Sequence, residues 1–490
     1  MDLASLLGDR VSLPHSAGMR EITGLTEDSR RVEQGFLFAA LPGTQVDGTR
    51  FIPDACARGA AAILCRTGTP APAGYPDIAL ITDANPRRRF ALAAAKFYGA
   101  QPRTVVAVTG TNGKTSVAAF TRQIWQHLGV PAASIGTLGV VTPDDTRPLH
   151  HTTPDPVTLH ATLDALAAAG VEAVALEASS HGLAQYRLDG VKLTAAAFTN
   201  ISRDHMDYHA DFEDYAYAKM RLFGEVLGPG GTAVLNADAP LSHEIAAVCW
   251  ARGQKVVSVG FEGEHLKLDE IIPSADGQTL KILYGGRTHT IALPLVGAFQ
   301  ASNALVAAGL VIAAGASTDA VLAALPALRG AAGRLERVGQ SVAGAMAYVD
   351  YAHTPDALQT ALSALRPHTR GRLVVVFGCG GDRDAGKRPQ MGRIAAQLAD
   401  AVIVTDDNPR TEDAAAIRAA ILAAAPGARA IADRALAIGA GVAELAAGDV
   451  LLVAGKGHET GQIIGDHIRP FDDRAQVRAA LSAMPQGAAL

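Results

Sequence analysis

The stretch Val105-Val106-Ala107-Val108-Thr109-Gly110-Thr111-Asn112-Gly113-Lys114-Thr115-Ser116 constrains the fold more than any other part of this chain. An apolar, mostly β-branched run enters two glycines, a lysine and two hydroxyl residues, and an alanine-containing segment starts at Val117. The pattern predicts a buried strand, a tight loop and a helix, hence an α/β layer. Such a loop turns backbone N–H groups and a helix N-terminus toward one spot, which suits a phosphate chain. Lys114 would neutralise β- and γ-phosphates, and the Thr115 hydroxyl would ligate Mg²⁺. Position 108 is Val, so the full G-x-x-x-x-G-K-[ST] pattern is not met, but Gly113-Lys114-Thr115 is intact. A glycine turn that merely precedes a lysine would need neither the strand before nor the helix after. A nucleoside triphosphate site is therefore expected.

With 490 residues the chain exceeds one ordinary core, and two to four domains are expected. The boundaries are read as 1–102, 103–331 and 332–490. A net charge of -5 without a basic stripe argues against nucleic acid as a partner. The first residues, Met1 to Leu7, lack the basic and long apolar regions of a signal peptide. The longest apolar run, 304–316, is too short to span a bilayer and suits a buried helix. Cys56, Cys65, Cys249 and Cys379 are scattered and form no C-x-x-C, so reduced thiols in a cytoplasmic protein are expected.

Taken in order, residues 1 to about 100 read as a small α/β unit, with exposed Ser29 and the 43–48 loop as ordinary turns. After the phosphate loop, His150-His151-Thr152-Thr153-Pro154-Asp155-Pro156 is a polar loop closed by prolines. The run 171–176 is a buried strand delivering Glu177 at its C-terminal end, well placed for Mg²⁺. The run Asn200 to His209 is dense in potential ligands. His205 and His209 are four apart, as in a zinc pair on one helix face, but no Glu follows His205 as in H-E-x-x-H. One imidazole serving a Mg²⁺ cluster fits better than a zinc hydrolase. Residues 215–223 read as an amphipathic helix, on which Lys219 is either a solvated charge or a carbamate-bearing ligand. Residues 255–296 read as β-rich, and 297–314 as a helix containing Asn303. Beyond Gly333 come a strand ending at Asp350 and three βα units, whose strands 373–377, 401–405 and 450–454 each end in Gly, charged and amide residues. Ligands bind at such strand ends in open parallel sheets.

Together these motifs resemble the Mur ligases, the ATP-dependent amino-acid ligases of peptidoglycan precursor synthesis. The resemblance covers nearly the whole chain. It is carried by 109–115, the Glu177 loop, Asn303, Gly333-Arg334 and Asp350-x-x-His353-x-Pro355, and narrowed by Thr152-Thr153-Pro154, 179–183, Ser202-Arg203-Asp204-His205 and Asp407-Asn408-Pro409-Arg410. It implies three domains: a small N-terminal α/β domain, a central P-loop-type ATPase domain with a mainly parallel sheet, and a C-terminal Rossmann-like α/β domain. It implies ATP and Mg²⁺, with Gly110, Thr111, Asn112, Gly113, Lys114, Thr115, Ser116, Asn303, Arg334, Asp350 and His353 around the nucleotide. Thr115, Glu177, His205 and a carbamylated Lys219 would serve the metal, and Lys114, Lys219, His205 and Glu177 the chemistry.

The acceptor implied is UDP-N-acetylmuramoyl-L-alanyl-D-glutamate, held by Ser29, Thr152, Thr153, Ser180, Gln185 and Arg187. The implied amino acid is meso-2,6-diaminopimelate, held by Arg383, Asp407, Asn408, Pro409, Arg410, Gly455 and Glu459. His151 and Thr44 depart from the residues common in the family and bear on the uridine contacts. A monomer is expected, with the third domain closing over the second to shield an acyl phosphate. A lysine-adding Mur ligase, a folylpolyglutamate synthetase-like ligase and a nucleotide-switch ATPase are the alternatives. The last would leave the ligand-ready strand ends of the C-terminal domain unexplained.

Overall fold

The computed structural model describes residues 1–8, 15–43, 46–206 and 208–484. It divides into two compact units, Met1–Ser258 with Gly309–Ala316, and Val259–Ala308 with Ser317–Leu490.

The first unit opens with a four-stranded parallel sheet in the order Gly24–Thr26, Phe36–Ala39, Ala62–Arg66, Ala79–Asp83. Helix Pro86–Tyr98 covers it, capped by the Asn85 carboxamide, with Pro86 in the first turn where no N–H is needed. Leu3, Leu37, Leu64, Ile81 and Phe90 form the core between them.

The phosphate-loop strand Thr104–Thr109 lies inside the larger sheet of this unit. Ala173–Glu177 and Ala195–Phe198 flank it in parallel, followed outward by Ala132–Gly136 on one side and Thr232–Asn236 on the other. These strands read as unbroken runs of small and β-branched residues because helices bury both faces, as parallel sheets require. Parallel register aligns their C-terminal ends, so Thr109, Glu177 and the 199–200 turn emerge along one edge.

The second unit contains an antiparallel meander, Leu266–Ser274, Gly277–Tyr284 and Arg287–Leu293. Its other sheet runs Glu336–Gln340, Met346–Asp350, Val450–Ala454, Leu373–Phe377, Ala401–Val404, Arg429–Ala430, parallel except for the first pair. Apolar clusters pack on both faces of this sheet.

Three expectations need correction. The helix after the phosphate loop starts at Lys114, not Val117, because Gly113 at φ +89° turns the chain directly into it. Only two of the three βα units hold. After Val450–Ala454 comes a hairpin, Gly461–Ile464 with His467–Pro470, before helix Asp473–Ala483. His205 and His209 share no helix face: they lie in a loop, and the helix begins at Phe212, capped by Asp211. The 304–316 run does form buried helix, with Leu305, Val306, Leu310 and Val311 fully enclosed. No helix among the described residues is long and apolar enough to cross a membrane.

Candidate functional site

In the first unit the phosphate loop is held from several sides. The Lys114 ammonium donates to Gly110 O and Thr111 O, both at 2.8 Å, and so reaches back over its own loop. Thr111 N donates to Asn200 O at 2.9 Å, Asn112 N to Asn200 Oδ1 at 2.9 Å, and the Thr199 hydroxyl to Asn112 O at 2.6 Å. Gly110 sits at φ +150°, where a side chain would collide with the Thr199 hydroxyl. Ser116 is buried in the first helical turn. The result is a rigid, amide-lined turn at a helix N-terminus, the geometry that accepts phosphate.

Glu177 is buried at the end of its strand. Its Oε2 accepts from the Thr115 hydroxyl at 3.0 Å and the Thr137 hydroxyl at 3.1 Å, and its Oε1 from Thr137 N at 2.8 Å. A carboxylate fixed against the Thr115 hydroxyl supplies hard oxygen donors of the kind Mg²⁺ takes, so the residues fit that ion. Among the described residues no three His, Cys, Asp or Glu side chains already converge as a metal cluster. His205, at φ +56°, packs edge-on against His181 with ring centroids 4.9 Å apart.

Lys219 is not a solvated charge: only 1% of it is exposed. Its ammonium donates to Gly110 O at 2.7 Å and lies 4.4 Å from the Tyr215 ring centre. Burial, reinforced by the nearby Lys114 cation, holds its pKa well below the ordinary lysine value. A neutral amine is the form that adds CO₂, so the environment fits a carbamate. One turn earlier on the same helix, the Tyr215 hydroxyl meets the Thr111 hydroxyl at 2.9 Å.

The residues assigned to the UDP-linked acceptor form a second network. Thr152 and Thr137 exchange a hydrogen bond at 3.0 Å, and the Thr153 hydroxyl donates to Glu177 O at 2.8 Å. Arg187 donates to Thr153 O at 2.6 Å and to Gln185 Oε1 at 2.8 Å. The buried Ser180 hydroxyl has no hydrogen-bond partner among the described residues. Ser29, expected to be exposed, is buried in a short 3-10 turn after Asp28. His151 is exposed, and Thr44 lies outside the described residues.

In the second unit, Asn303 donates to Gln300 Oε1 at 3.1 Å, and Gln300 in turn to Arg334 O at 3.1 Å. The Arg334 guanidinium stacks 4.8 Å from the Tyr351 ring centre. Asp350 accepts from Leu335 N at 2.6 Å and Ala352 N at 2.8 Å, and burial pushes its carboxyl up. His353 Nδ1 meets Tyr351 O at 2.8 Å. His458, whose ring centre lies 5.0 Å from that of Tyr351, is driven to a pKa of about 4 by burial and then by Arg334. A histidine lowered from 6.5 is neutral when folded, while the unfolded chain takes up a proton as pH falls below 6.5. Stability is therefore lost as pH falls from about 6.5 to about 4. We expect His458→Asn to remove a pH-dependent loss of up to about 3 kcal/mol across that window, measured by urea melts at each pH.

The strand ends 377, 404 and 454 converge on the remaining candidates. Asn408 Oδ1 accepts from Lys456 Nζ at 2.8 Å and from Ile463 N at 3.0 Å, while its Nδ2 donates to Glu459 Oε2 at 3.0 Å. Lys456 also reaches Glu459 Oε2 at 3.1 Å. Arg410, at φ +52°, donates to Gly381 O at 2.8 Å and follows Pro409, which is buried. Among the described residues one oxygen of buried Asp407, Oδ2, has no hydrogen-bond partner, and Gly455 leaves it room, since a Cβ there would stand 2.5 Å away. Arg383 is exposed nearby in sequence but joins none of these bonds. Beneath the group lies Arg434, paired through two 2.7 Å bonds with Asp473.

Sequence reasoning did not single out Thr137, Tyr215, Lys456 or the Arg434–Asp473 pair. Gly136 was the available signal for Thr137, because a side chain there would strike the Glu177 carboxylate. Gly455 and Gly457 bracket Lys456 in the same way.

The family model described as Mur ligase middle domain matches residues 108–311, and Mur ligase, glutamate ligase domain, matches 333–457. Mur ligase family, catalytic domain, matches residues 21–98. The UDP-N-acetylmuramoyl-L-alanyl-D-glutamate--2,6-diaminopimelate ligase of Bradyrhizobium diazoefficiens is 54% identical over 487 residues, 99% of each chain. Its counterpart from Caulobacter vibrioides is 56% identical over 469 residues, 94% of this chain and 96% of the other. A solved structure of a ligase of the same name superposes with a TM-score of 0.75 at 32% identity, covering 99% of each chain. The MurF ligase of Thermotoga maritima, solved with ADP, shares the fold at a TM-score of 0.60 and 16% identity over 96% of this chain and 98% of the other.

Proposed function

The chain belongs to the Mur ligase family, whose members are ATP-dependent, peptide-bond-forming enzymes, and from that membership we propose that it joins meso-2,6-diaminopimelate to UDP-N-acetylmuramoyl-L-alanyl-D-glutamate in the cytoplasm. The observation that carries this reading is full-length likeness, 54% identity across 99% of both chains, to a relative named for that reaction. We assign the work to three domains bounded at 102 and 331.

A carboxylate is a poor electrophile, so the D-glutamyl carboxylate first takes the γ-phosphoryl group of ATP, giving an acyl phosphate and ADP. The loop amides of 110–116 and the Lys114 ammonium hold the phosphates in line and offset the charge on their oxygens. Thr115, Glu177, His205 and Lys219 as its carbamate would hold Mg²⁺, which when bound supplies further charge neutralisation at the phosphates. Asn303, Arg334, Asp350 and His353 orient the nucleotide. Thr152, Thr153, Ser180, Gln185 and Arg187, with Ser29, orient the acceptor. The free amine of diaminopimelate then attacks the acyl carbon, forms the amide and releases phosphate.

The distal end of diaminopimelate carries an ammonium and a carboxylate. Arg410 can pair with the carboxylate through two N–H groups, and Glu459 can accept from the ammonium. L-Lysine lacks that carboxylate and leaves Arg410 without its partner, at a cost of about 1–3 kcal/mol. Arg410→Ala is therefore expected to lower kcat/KM for diaminopimelate about ten- to a hundredfold while leaving that for L-lysine nearly unchanged. Unaltered preference for diaminopimelate would refute this role. The reaction itself is tested by mass spectrometry of the nucleotide product after incubation with ATP, acceptor and diaminopimelate. A product heavier by diaminopimelate less water is expected, and an unchanged acceptor would contradict the proposal.

A further inference from the structure

Lys456 is fully buried, yet it sits among the side chains assigned to the incoming amino acid. Its ammonium is 2.8 Å from Asn408 Oδ1 and 3.1 Å from Glu459 Oε2. It therefore fixes which end of the Asn408 carboxamide faces Glu459, and it engages one of the two Glu459 oxygens. The charges around this group can be counted. Arg410 and Lys456 are cationic, Asp407 and Glu459 anionic, Arg434 is matched by Asp473 beneath them, and Arg383, which is exposed and joins none of these bonds, stands outside the count. The set is balanced.

A balanced site in a partly desolvated pocket accepts a ligand end whose own charges cancel, and resists one that brings a net charge. The distal end of diaminopimelate, an ammonium with a carboxylate, is such an end; the side chain of L-lysine brings a net positive charge. Without Lys456 the same group would be net negative and would suit the lysine side chain. We propose that Lys456 is a specificity-determining residue, the buried cation that sets the pocket to take a zwitterionic rather than a cationic amino-acid end. The proposal rests on the assignment of Arg410 and Glu459 to the diaminopimelate site. Lys456 acts through Glu459 and Asn408 and through its charge, and it is a positioning residue, not a catalytic one.

The test is steady-state phosphate release with ATP and acceptor saturating, and with diaminopimelate or L-lysine varied. Lys456→Met keeps the length of the side chain and removes its charge. The ratio of kcat/KM for diaminopimelate to that for L-lysine is expected to fall about tenfold or more, through a higher KM for diaminopimelate, with the KM for ATP unchanged. Asn408→Asp adds a negative charge at the same point without changing shape, and it should move the ratio the same way if Lys456→Met does not fold. Equal losses for both amino acids, or an unmoved ratio in both variants, would show a purely structural lysine and overturn the proposal. A wild-type enzyme that itself prefers L-lysine would overturn the underlying assignment, and the proposal with it.

Discussion

Lys114→Ala is expected to lower kcat/KM for ATP by about a thousandfold or more, close to complete loss of phosphate release. Its ammonium already spans Gly110 O and Thr111 O at 2.8 Å, so it sits over the turn where the terminal phosphates would lie. Charge develops on the transferring phosphoryl oxygens, and a preorganised cation in a water-poor site contributes roughly 3–4 kcal/mol or more to stabilising it. The loop itself should survive the substitution, because Thr199, Asn200 and Thr111 hold it through bonds that do not involve Lys114. The melting temperature should therefore change little while turnover collapses. Phosphate release within about tenfold of wild type, with the variant folded, would remove Lys114 from the mechanism.

Asp473→Ala should have the largest effect on stability. Arg434 and Asp473 are both completely buried, joined by two parallel bonds of 2.7 Å, and Arg434 also donates to Ala454 O at 3.0 Å. Removing the carboxylate leaves a guanidinium stranded in the interior, at a cost of roughly 3–5 kcal/mol. For a cooperative unit of 150–250 residues that corresponds to a fall in melting temperature of roughly 6–20 °C. The double variant Arg434→Met with Asp473→Leu should recover most of the loss, since a well-packed apolar pair can replace a buried ion pair. Calorimetry of the three variants checks this. A single variant melting within a few degrees of wild type would mean that the pair contributes little. The pair also lies below Gly455 and Asp407, so the single variant should weaken diaminopimelate binding before it unfolds.

The phosphate loop was legible because three local signals coincide there: a β-branched run, glycines where positive φ is needed, and a Gly-Lys-Thr triplet leading into an alanine-containing segment, although the helix begins three residues earlier than that segment. The two βα units ending at Phe377 and Val404 were legible for the same reason. The third differs because its continuation is a hairpin turning at Gly465-Asp466, whose two strands are only four residues each and leave too short an alternation to stand out in the sequence. The burial of Lys219 could not be read from helical spacing, which says which residues share a face but not what lies opposite. Partners brought together by crossovers, such as Thr137 with Glu177 or Arg434 with Asp473, are about forty residues apart and leave no trace in local sequence. The 407–410 motif was visible, but the left-handed backbone at Arg410 was not. Its N–H on Ile463 O and its carbonyl under Gly465 N hold it in that conformation.

The most direct test of the whole account is phosphate release from ATP and UDP-N-acetylmuramoyl-L-alanyl-D-glutamate with meso-diaminopimelate, with L-lysine, and with no amine. Sustained release is expected only with diaminopimelate. Equal release with L-lysine would contradict the reading of Arg410 and its neighbours, and equal release with no amine would contradict a ligase altogether.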